Sequence, residues 1–385
     1  MPPADASFAV GSFVDHHCHG LVRREVDRAE FELLLNEGSG AGPLGTSAFD
    51  SMIGLAVRRW CAPILELPEL CDADAYLARR TELGAGEVDR RFLGAAQISD
   101  FIVDIGFVPE PISTPNELAS LGGGRAHRIV RLEGIGQQLL RDGTPAEAFA
   151  TAFRDALLES GAVGAKSIAA YRVGLQLAAE KPDDRSLIEA LARQAPDDSG
   201  AFRIADPVLN SWMAWAAIEV GLPLQFHVGY GDADVDLHRC DPLLLSPFLR
   251  STQEREIPVL LLHNYPFHRQ AAYLAQVFDH VFCDLSLAVH NTGALSRRLV
   301  AEVLELVPFG KLLYASDAFG LAELYYLGSL LFRRGLDASL TDLVAAGEMG
   351  ADDARHLVDL VGRRNAYRVY SLDGVVPVSG DRGRA

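Results

Sequence analysis

Eight short, continuously apolar segments recur along this 385-residue chain, separated by longer helical patterns. That alternation constrains the fold more than any other feature. The segments are FAVGSFVDHHCH (8–19), ISDFIVDIGF (98–107), HRIVRLE (127–133), AVGAKSI (162–168), LPLQFHV (222–228), IPVLLLH (257–263), HVFCDLS (280–286) and KLLYASD (311–317). A sheet with one wet face would alternate apolar and polar residues. Unbroken apolar runs suit strands buried on both faces, the parallel case. Helical stretches over 145–159, 207–220, 267–277 and 294–306 supply the crossovers that parallel strands require. Eight strands alternating with helices predict an α/β fold of the (β/α)8 TIM barrel type.

Two connections are too long for a single crossover helix. Residues 20–96 carry helical patterns near 27–37, 50–60 and 73–86 and read as a helical insertion after strand 1, over the barrel mouth. Residues 169–221 include the Pro/Asp/Arg-rich piece AAEKPDDRS. Both follow strand C-termini, where barrel enzymes carry their active-site loops. Residues 321–371 read as terminal helices packed outside the barrel, so that 1–375 forms one domain and 376–385 a flexible tail. With 49% hydrophobic residues the core is large, and no disulfide or metal staple is needed for folding.

Charge and motifs exclude several function classes. There are 52 Asp+Glu against 35 Lys+Arg, a net charge of −17, which argues against nucleic acid and anionic membrane surfaces as partners. The five cysteines are dispersed, with no CxxC, and do not read as a disulfide framework. The N-terminus lacks a basic n-region, and no apolar run approaches the ~18 residues of a membrane span, so the expected location is cytoplasmic. No GxGxxG opening a helix, GxxxxGK[ST] or GxSxG is present.

The chemistry-bearing residues cluster at strand ends. Asp15-His16-His17-Cys18-His19-Gly20 closes the first strand. His17 and His19, two apart on a strand, share a side and can face one point. Imidazole is the commonest zinc ligand, and two on one face make half a site. His16 is expected to point the other way as a packed histidine, and Cys18 into the barrel wall. Lys166 ends the fourth strand, His227 the fifth, His263 the sixth and Asp317 the eighth. A barrel would bring all of them to one mouth.

This set resembles the amidohydrolase superfamily, whose motif is HxH on strand one, Lys on four, His on five, His on six and Asp on eight. GAKSIAAYRVGL, QFHVGYGDADVDL, LLHNYPF and YASDAFG look like its amidohydrolase-2 branch, and are similar to the amidohydrolase domains associated with glutamine-synthetase-like proteins. The resemblance spans roughly residues 13–320. It implies that His17, His19 and Asp317 hold a divalent metal, with His227 on it or on a second ion. Zn²⁺ suits this donor set, with Mn²⁺ and Fe²⁺ as alternatives. Lys166, if carboxylated, would bridge two ions; otherwise it binds substrate. Asp317 would take a proton from the activated water and return it to the leaving nitrogen, and His263 would sit by the developing oxyanion or ligate a second ion.

Substrate contacts are expected from the loops beyond. Arg172, beside Tyr171, offers a planar fork for a carboxylate. Asp232 could take an ammonium or could simply turn the chain after Gly229 and Gly231. Glu133 and Asp104 are read as structural carboxylates or as partners that fix an imidazole. Asn264, Tyr265, His290 and Glu323 are further pocket candidates. Together these point to a metal-dependent hydrolase of a small-molecule C–N bond, a γ-glutamyl or amino-acid amide. A mononuclear metal decarboxylase of an aromatic or unsaturated acid, and a non-catalytic partner of a ligase, are the alternatives. Barrels of this kind are expected to form homo-oligomers.

Overall fold

The computed structural model describes residue 8, residues 11–38, residue 40 and residues 44–373. Seven strands form one parallel sheet in chain order: β1 (Phe13–Cys18), β2 (Ile98–Asp104), β3 (Arg125–Arg131), β4 (Gly164–Ser167), β5 (Leu224–Val228), β6 (Val259–His263) and β7 (Val281–Cys283). β1, β4, β5, β6 and β7 are buried nearly throughout, as the apolar runs require. The 376–385 tail lies outside the described residues.

The eighth expected strand differs. Leu312 makes an isolated parallel bridge to Cys283 at the end of β7, and the Leu313 N–H donates to the Cys283 carbonyl at 3.0 Å. On the other side the His16 N–H donates to the Tyr314 carbonyl at 3.1 Å and the Asp317 N–H to the His17 carbonyl at 2.9 Å. The segment is therefore bonded to both β7 and β1 without forming a regular ladder. The Asp15 carboxylate interrupts it by taking the Ser316 N–H at 2.9 Å and the Ser316 hydroxyl at 2.5 Å. Asp317 then turns left-handed at φ 53.

Sixteen α-helices are described: α1 (Arg28–Leu34), α2 (Met52–Ala56), α3 (Ala73–Leu83), α4 (Ala85–Ala96), α5 (Pro115–Gly122), α6 (Leu132–Arg141), α7 (Ala146–Glu159), α8 (Asp184–Leu191), α9 (Pro207–Glu219), α10 (Ser246–Thr252), α11 (His268–Val277), α12 (Ser286–Asn291), α13 (Ser296–Leu304), α14 (Ala322–Ala345), α15 (Ala351–Asp359) and α16 (Asn365–Tyr370). Local chemistry sets their starts. Asp27 with Glu30, and Thr114 with Glu117, form capping boxes at α1 and α5. Asp206 caps α9, with Pro207 in its first turn. The helical run expected over 73–86 divides at Gly84, which sits at φ 78 and separates α3 from α4.

Residues 20–96 do not simply cover the mouth. Among the described residues of this segment beyond Gly20, only 33–38 line the cavity at the strand C-termini. α4 packs instead on α14, and buried Glu323 of α14 accepts from Arg80 Nε at 2.9 Å and from the Tyr76 hydroxyl at 3.0 Å. Nor do all the terminal helices lie outside. Ala366, Tyr367, Val369 and Tyr370 of α16 join Val14, Ile102, Ile129, Leu260, Leu262, Phe282 and Leu313 in one buried cluster. The Tyr367 hydroxyl reaches Asp100, near the start of β2, at 3.1 Å. α16 thus floors the sheet's N-terminal end, its apolar face replacing water against inward side chains. Among the described residues no helix is long and apolar enough to cross a membrane.

Candidate metal centre

A bulge in β1 sets the geometry. Asp15 pairs with Phe101 and Cys18 with Val103, so three steps along β1 match two along β2. The extra residue lets consecutive histidines cross the same interior. His16 reaches Asp284 just beyond β7 at 2.8 Å, while His17 reaches Gln225 on β5 at 2.8 Å and Lys166 on β4 at 3.0 Å. The bulge corrects the expected direction of His16, which is nonetheless a packed histidine, fully buried between Asp284 and Tyr370.

Asp317 is the hub. Its Oδ1 lies 3.2 Å from His17 Nε2 and 3.4 Å from His19 Nε2, and its Oδ2 lies 3.2 Å from His263 Nδ1. His17, His263 and Asp317 form one group whose donor atoms lie within 4.8 Å of one another, and His17, His19 and Asp104 form a second. Two of the residues hold backbone that only special surroundings retain: His263 at φ 69 and Asp317 at φ 53.

The protons of His17 test whether a cation fits. Gln225 Nε2 lies 2.9 Å from the His16 carbonyl, which only accepts, so Gln225 turns its carbonyl oxygen toward His17 Nδ1. His17 is therefore protonated at Nδ1 and bare at Nε2. Its lone pair meets the Lys166 ammonium at 3.0 Å and lies 3.2 Å from Asp317 Oδ1, where a divalent cation could take the place of that ammonium. His19 Nδ1 is buried with no hydrogen-bond partner among the described residues. A divalent cation suits this set of nitrogen and oxygen donors.

Charge follows burial. Burial, helped by the Lys166 ammonium, pushes His17 down to about 4 and His227 down to about 3, and burial pushes His263 well below the usual imidazole range. These rings are neutral at pH 7, as metal ligation requires. Burial alone would raise Asp317, but the surrounding imidazoles hold it well below the usual carboxylate range. Burial lowers Lys166 to about 8 against the pull of Asp317 and Asp104.

The centre opens into a cavity of about 580 Å³. His19, Lys166, Tyr171, Arg172, His227, Asp232, His263 and Asp317 all line it. His227 stands slightly apart. Its ring is 4.5 Å from that of His263 and 4.4 Å from that of Tyr171, while its Nε2 faces the Tyr230 carbonyl at 3.1 Å. Arg172 has a buried Nε without a partner among the described residues, and only a 3.4 Å contact from Nη1 to the Tyr171 carbonyl. Asp232 is exposed and accepts the Asp234 N–H at 2.8 Å, which is turn chemistry.

Several secondary candidates fall elsewhere. Glu133 opens α6 and accepts from the Ser167 hydroxyl and the Ile168 N–H at 2.8 and 2.9 Å. Asp104 is clamped by Arg131 at 2.5 and 3.2 Å. Asn264 bonds the Leu261 and Asp284 carbonyls, Tyr265 stacks on His268, and Glu323 is held by Arg80 on the far side of α14; none of the three lines the cavity. His290 does.

Other site residues escaped the sequence. Gln225 precedes His227 by two on β5 and shares its face, a signal that was readable. Arg131, Arg203 and Glu37 line the cavity from loops and strand ends without any motif. Burial, with Asp317 and Asp232 nearby, pushes the Glu37 carboxyl up to about 7.

Comparison with known proteins gives this geometry a family. The model of the amidohydrolase family matches residues 142–372, which include Lys166, His227, His263 and Asp317. A metal-dependent hydrolase structure from Lactobacillus casei is 29% identical, with 95% of this chain and 96% of that one covered and a TM-score of 0.81. A uronate isomerase from Thermotoga maritima, 13% identical over 93% of this chain and 94% of that one, shares the fold at a TM-score of 0.62. Protein fluG of Emericella nidulans is 28% identical over 286 residues, 65% of this chain. The chain spans about a third of the length of that curated relative. With its family match covering more than half of its length, this chain belongs to the amidohydrolase family and is an enzyme of the hydrolase superfamily.

Proposed function

We propose that this chain hydrolyses the C–N bond of a small amide, of γ-glutamyl or amino-acid type, at a divalent metal held by His17, His19 and Asp317. The observation that carries this reading is the convergence of three donor atoms, with His17 Nε2 at 3.2 Å and His19 Nε2 at 3.4 Å from Asp317 Oδ1. Zn²⁺ is the ion the donor set suits best, and when bound it supplies polarisation of a carbonyl and water that is acidic enough to react at neutral pH. Asp317 accepts the proton at its carboxylate and returns it to the leaving nitrogen. His263, held beside Asp317, lies near the carbonyl oxygen or offers its bare Nε2 to a second ion, and His227 stands beside it. Lys166 either joins the metal site as a carbamate or donates from Nζ. Arg172, with an unpartnered buried Nε, takes the substrate carboxylate, Tyr171 packs beside it, and Asp232 takes the amine. We read the segment bonded to both β7 and β1 as the eighth element of a closed (β/α)8 barrel, and residues 20–96 as its helical insertion.

Metal content, measured on protein purified without chelator, tests this reading. About two ions in the wild type, falling in Lys166→Ala, would support a carboxylated, bridging lysine. One ion in both would assign Lys166 to substrate. No metal in either, even after reconstitution with zinc or manganese, would overturn the proposal. With metal loaded, amine release from γ-glutamyl anilides should rise in KM in Arg172→Ala with kcat little changed. Release of CO₂ from carboxylic acids instead of amine from amides would refute the amide reading.

A further inference from the structure

One buried carboxylate, Asp284, stands at the end of two hydrogen-bond arms, and the donor inventory fixes the direction of each. The first arm starts at His17. Its Nδ1–H donates to Gln225 Oε1 at 2.8 Å. Gln225 spends its two amide protons on the His16 carbonyl at 2.9 Å and on the Tyr370 oxygen at 2.8 Å. The Tyr370 proton is then left for His16 Nδ1, 3.0 Å away. His16, accepting at Nδ1, carries its proton on Nε2 and gives it to Asp284 Oδ2 at 2.8 Å. The second arm is shorter. Asp284 Oδ1 accepts the Ser286 hydroxyl and the His263 backbone N–H, both at 2.8 Å. Ser286 Oγ, its proton spent, accepts from His263 Nδ1 at 2.7 Å. The same Nδ1–H lies 3.2 Å from Asp317 Oδ2. His16, Gln225 and Asp284 are fully buried and Tyr370 nearly so, so water does not compete for these bonds.

We infer that Asp284 sets the tautomers of both His17 and His263, and that Tyr370 of the C-terminal helix is a positioning residue for the metal centre. Every bond in the relay runs one way, so each member has one proton arrangement that satisfies its neighbours. Losing Tyr370's hydroxyl leaves the second Gln225 proton and His16 Nδ1 unpaired in a dry interior. The amide is then held by the His16 carbonyl alone, and the His17 ring by Lys166, whose Nζ lies 3.0 Å from Nε2. The preference for Nδ1–H weakens, and His17 can populate the form protonated at Nε2, the atom that faces Asp317. This rests on the assignment of His17 as a ligand only where metal is concerned; the tautomer claim stands apart from it.

The test is Tyr370→Phe in the full chain, read by long-range proton–nitrogen NMR of the histidine rings in metal-free protein and by zinc affinity in chelator competition. The wild type should show His17 and His263 each as a single Nδ1–H tautomer. In Tyr370→Phe, His17 should become mixed or convert to Nε2–H, His263 should be unchanged, and zinc should bind about ten- to a hundredfold more weakly. A His17 that keeps its Nδ1–H signal in Tyr370→Phe overturns the relay. A lost tautomer with unchanged zinc affinity upholds the relay and overturns the assignment of His17 as ligand. Asp284→Asn gives a second reading should Tyr370→Phe fold poorly. Its amide must donate to His16 Nε2, so His16 should switch to Nδ1–H; a His16 that stays protonated at Nε2 overturns the inference as well.

Discussion

Arg131 and Asp104 offer a way to weigh the electrostatics of the metal centre directly. Asp104 is fully buried and accepts from Arg131 at 2.5 and 3.2 Å and from the Gly106 N–H at 2.8 Å. Opposite charges about 4 Å apart interact by about 4 kcal/mol at an effective dielectric near 20. Arg131→Met keeps an unbranched apolar side chain but removes that attraction, together with the guanidinium that lies 5.5 Å from the Phe107 ring. His17 is pushed down to about 4 and cannot replace the lost charge at pH 7, which leaves Lys166 as the nearby cation. The metal-free variant should therefore lose about 3–5 kcal/mol, the cost of stranding one partner of a buried pair. A divalent cation should recover much of it, because Asp104 shares a donor group with His17 and His19. Zinc at a hundred times its dissociation constant stabilises a folded protein by about 2.7 kcal/mol, and Arg131→Met should gain more than the wild type at equal zinc. Urea unfolding of both proteins, with chelator and with zinc, measures the two quantities. A loss below about 1 kcal/mol in chelator, or an equal zinc gain in both proteins, would refute the reasoning.

Three further outcomes are expected. Glu37, raised to about 7 in the fold, titrates near 4.5 when unfolded, so the folded wild type loses stability as pH rises from about 4.5 through 7. Glu37→Gln should remove that loss, gaining on the order of 1–2 kcal/mol at pH 8 relative to pH 4.5 after allowance for partial exposure, as thermal denaturation at the two pH values will read. Gly229 sits at φ 80 with the Tyr265 carbonyl oxygen 2.2 Å from where a Cβ would stand, whereas Gly161, at φ 63, has nothing within 4 Å. Gly229→Ala should therefore cost well over the ~1–2 kcal/mol of Gly161→Ala and should lower turnover by moving the β5 end that carries His227; equal costs in denaturant unfolding would contradict the geometry. Finally, Cys18, Cys61, Cys240 and Cys283 are buried and Cys71 is half-buried, so an aromatic disulfide reagent should label no more than Cys71 in the native protein.

Much of this was legible because parallel strands announce themselves as apolar runs and because barrels collect strand ends. The HxH pair, Lys166, His227, His263 and Asp317 were found at those ends, and all but His17 line the cavity, with His17 directly beneath. What escaped depends on registry and on distant partners. The β1 bulge that turns His16 inward is a one-residue mismatch with β2, invisible in DHHCH itself. The eighth strand is not a regular element because Asp15, 301 residues upstream, takes the Ser316 N–H. Tyr370 gives no sign in RVYSL that its hydroxyl ends beside Gln225. Glu323 looked like a pocket residue from its place after Asp317, yet α14 turns it toward Arg80.

The position of α16 has a consequence for how the protein is made. A nascent chain that has emerged through Asp317 already holds every proposed metal ligand, but the floor that fixes their protons arrives only with Tyr370, 53 residues later. Until that last helix closes the sheet from below, Gln225 and His16 lack the bonds that the Tyr370 hydroxyl supplies at 2.8 and 3.0 Å. A chain stopped before residue 365 would carry the full ligand set and still lack the device that aims His17.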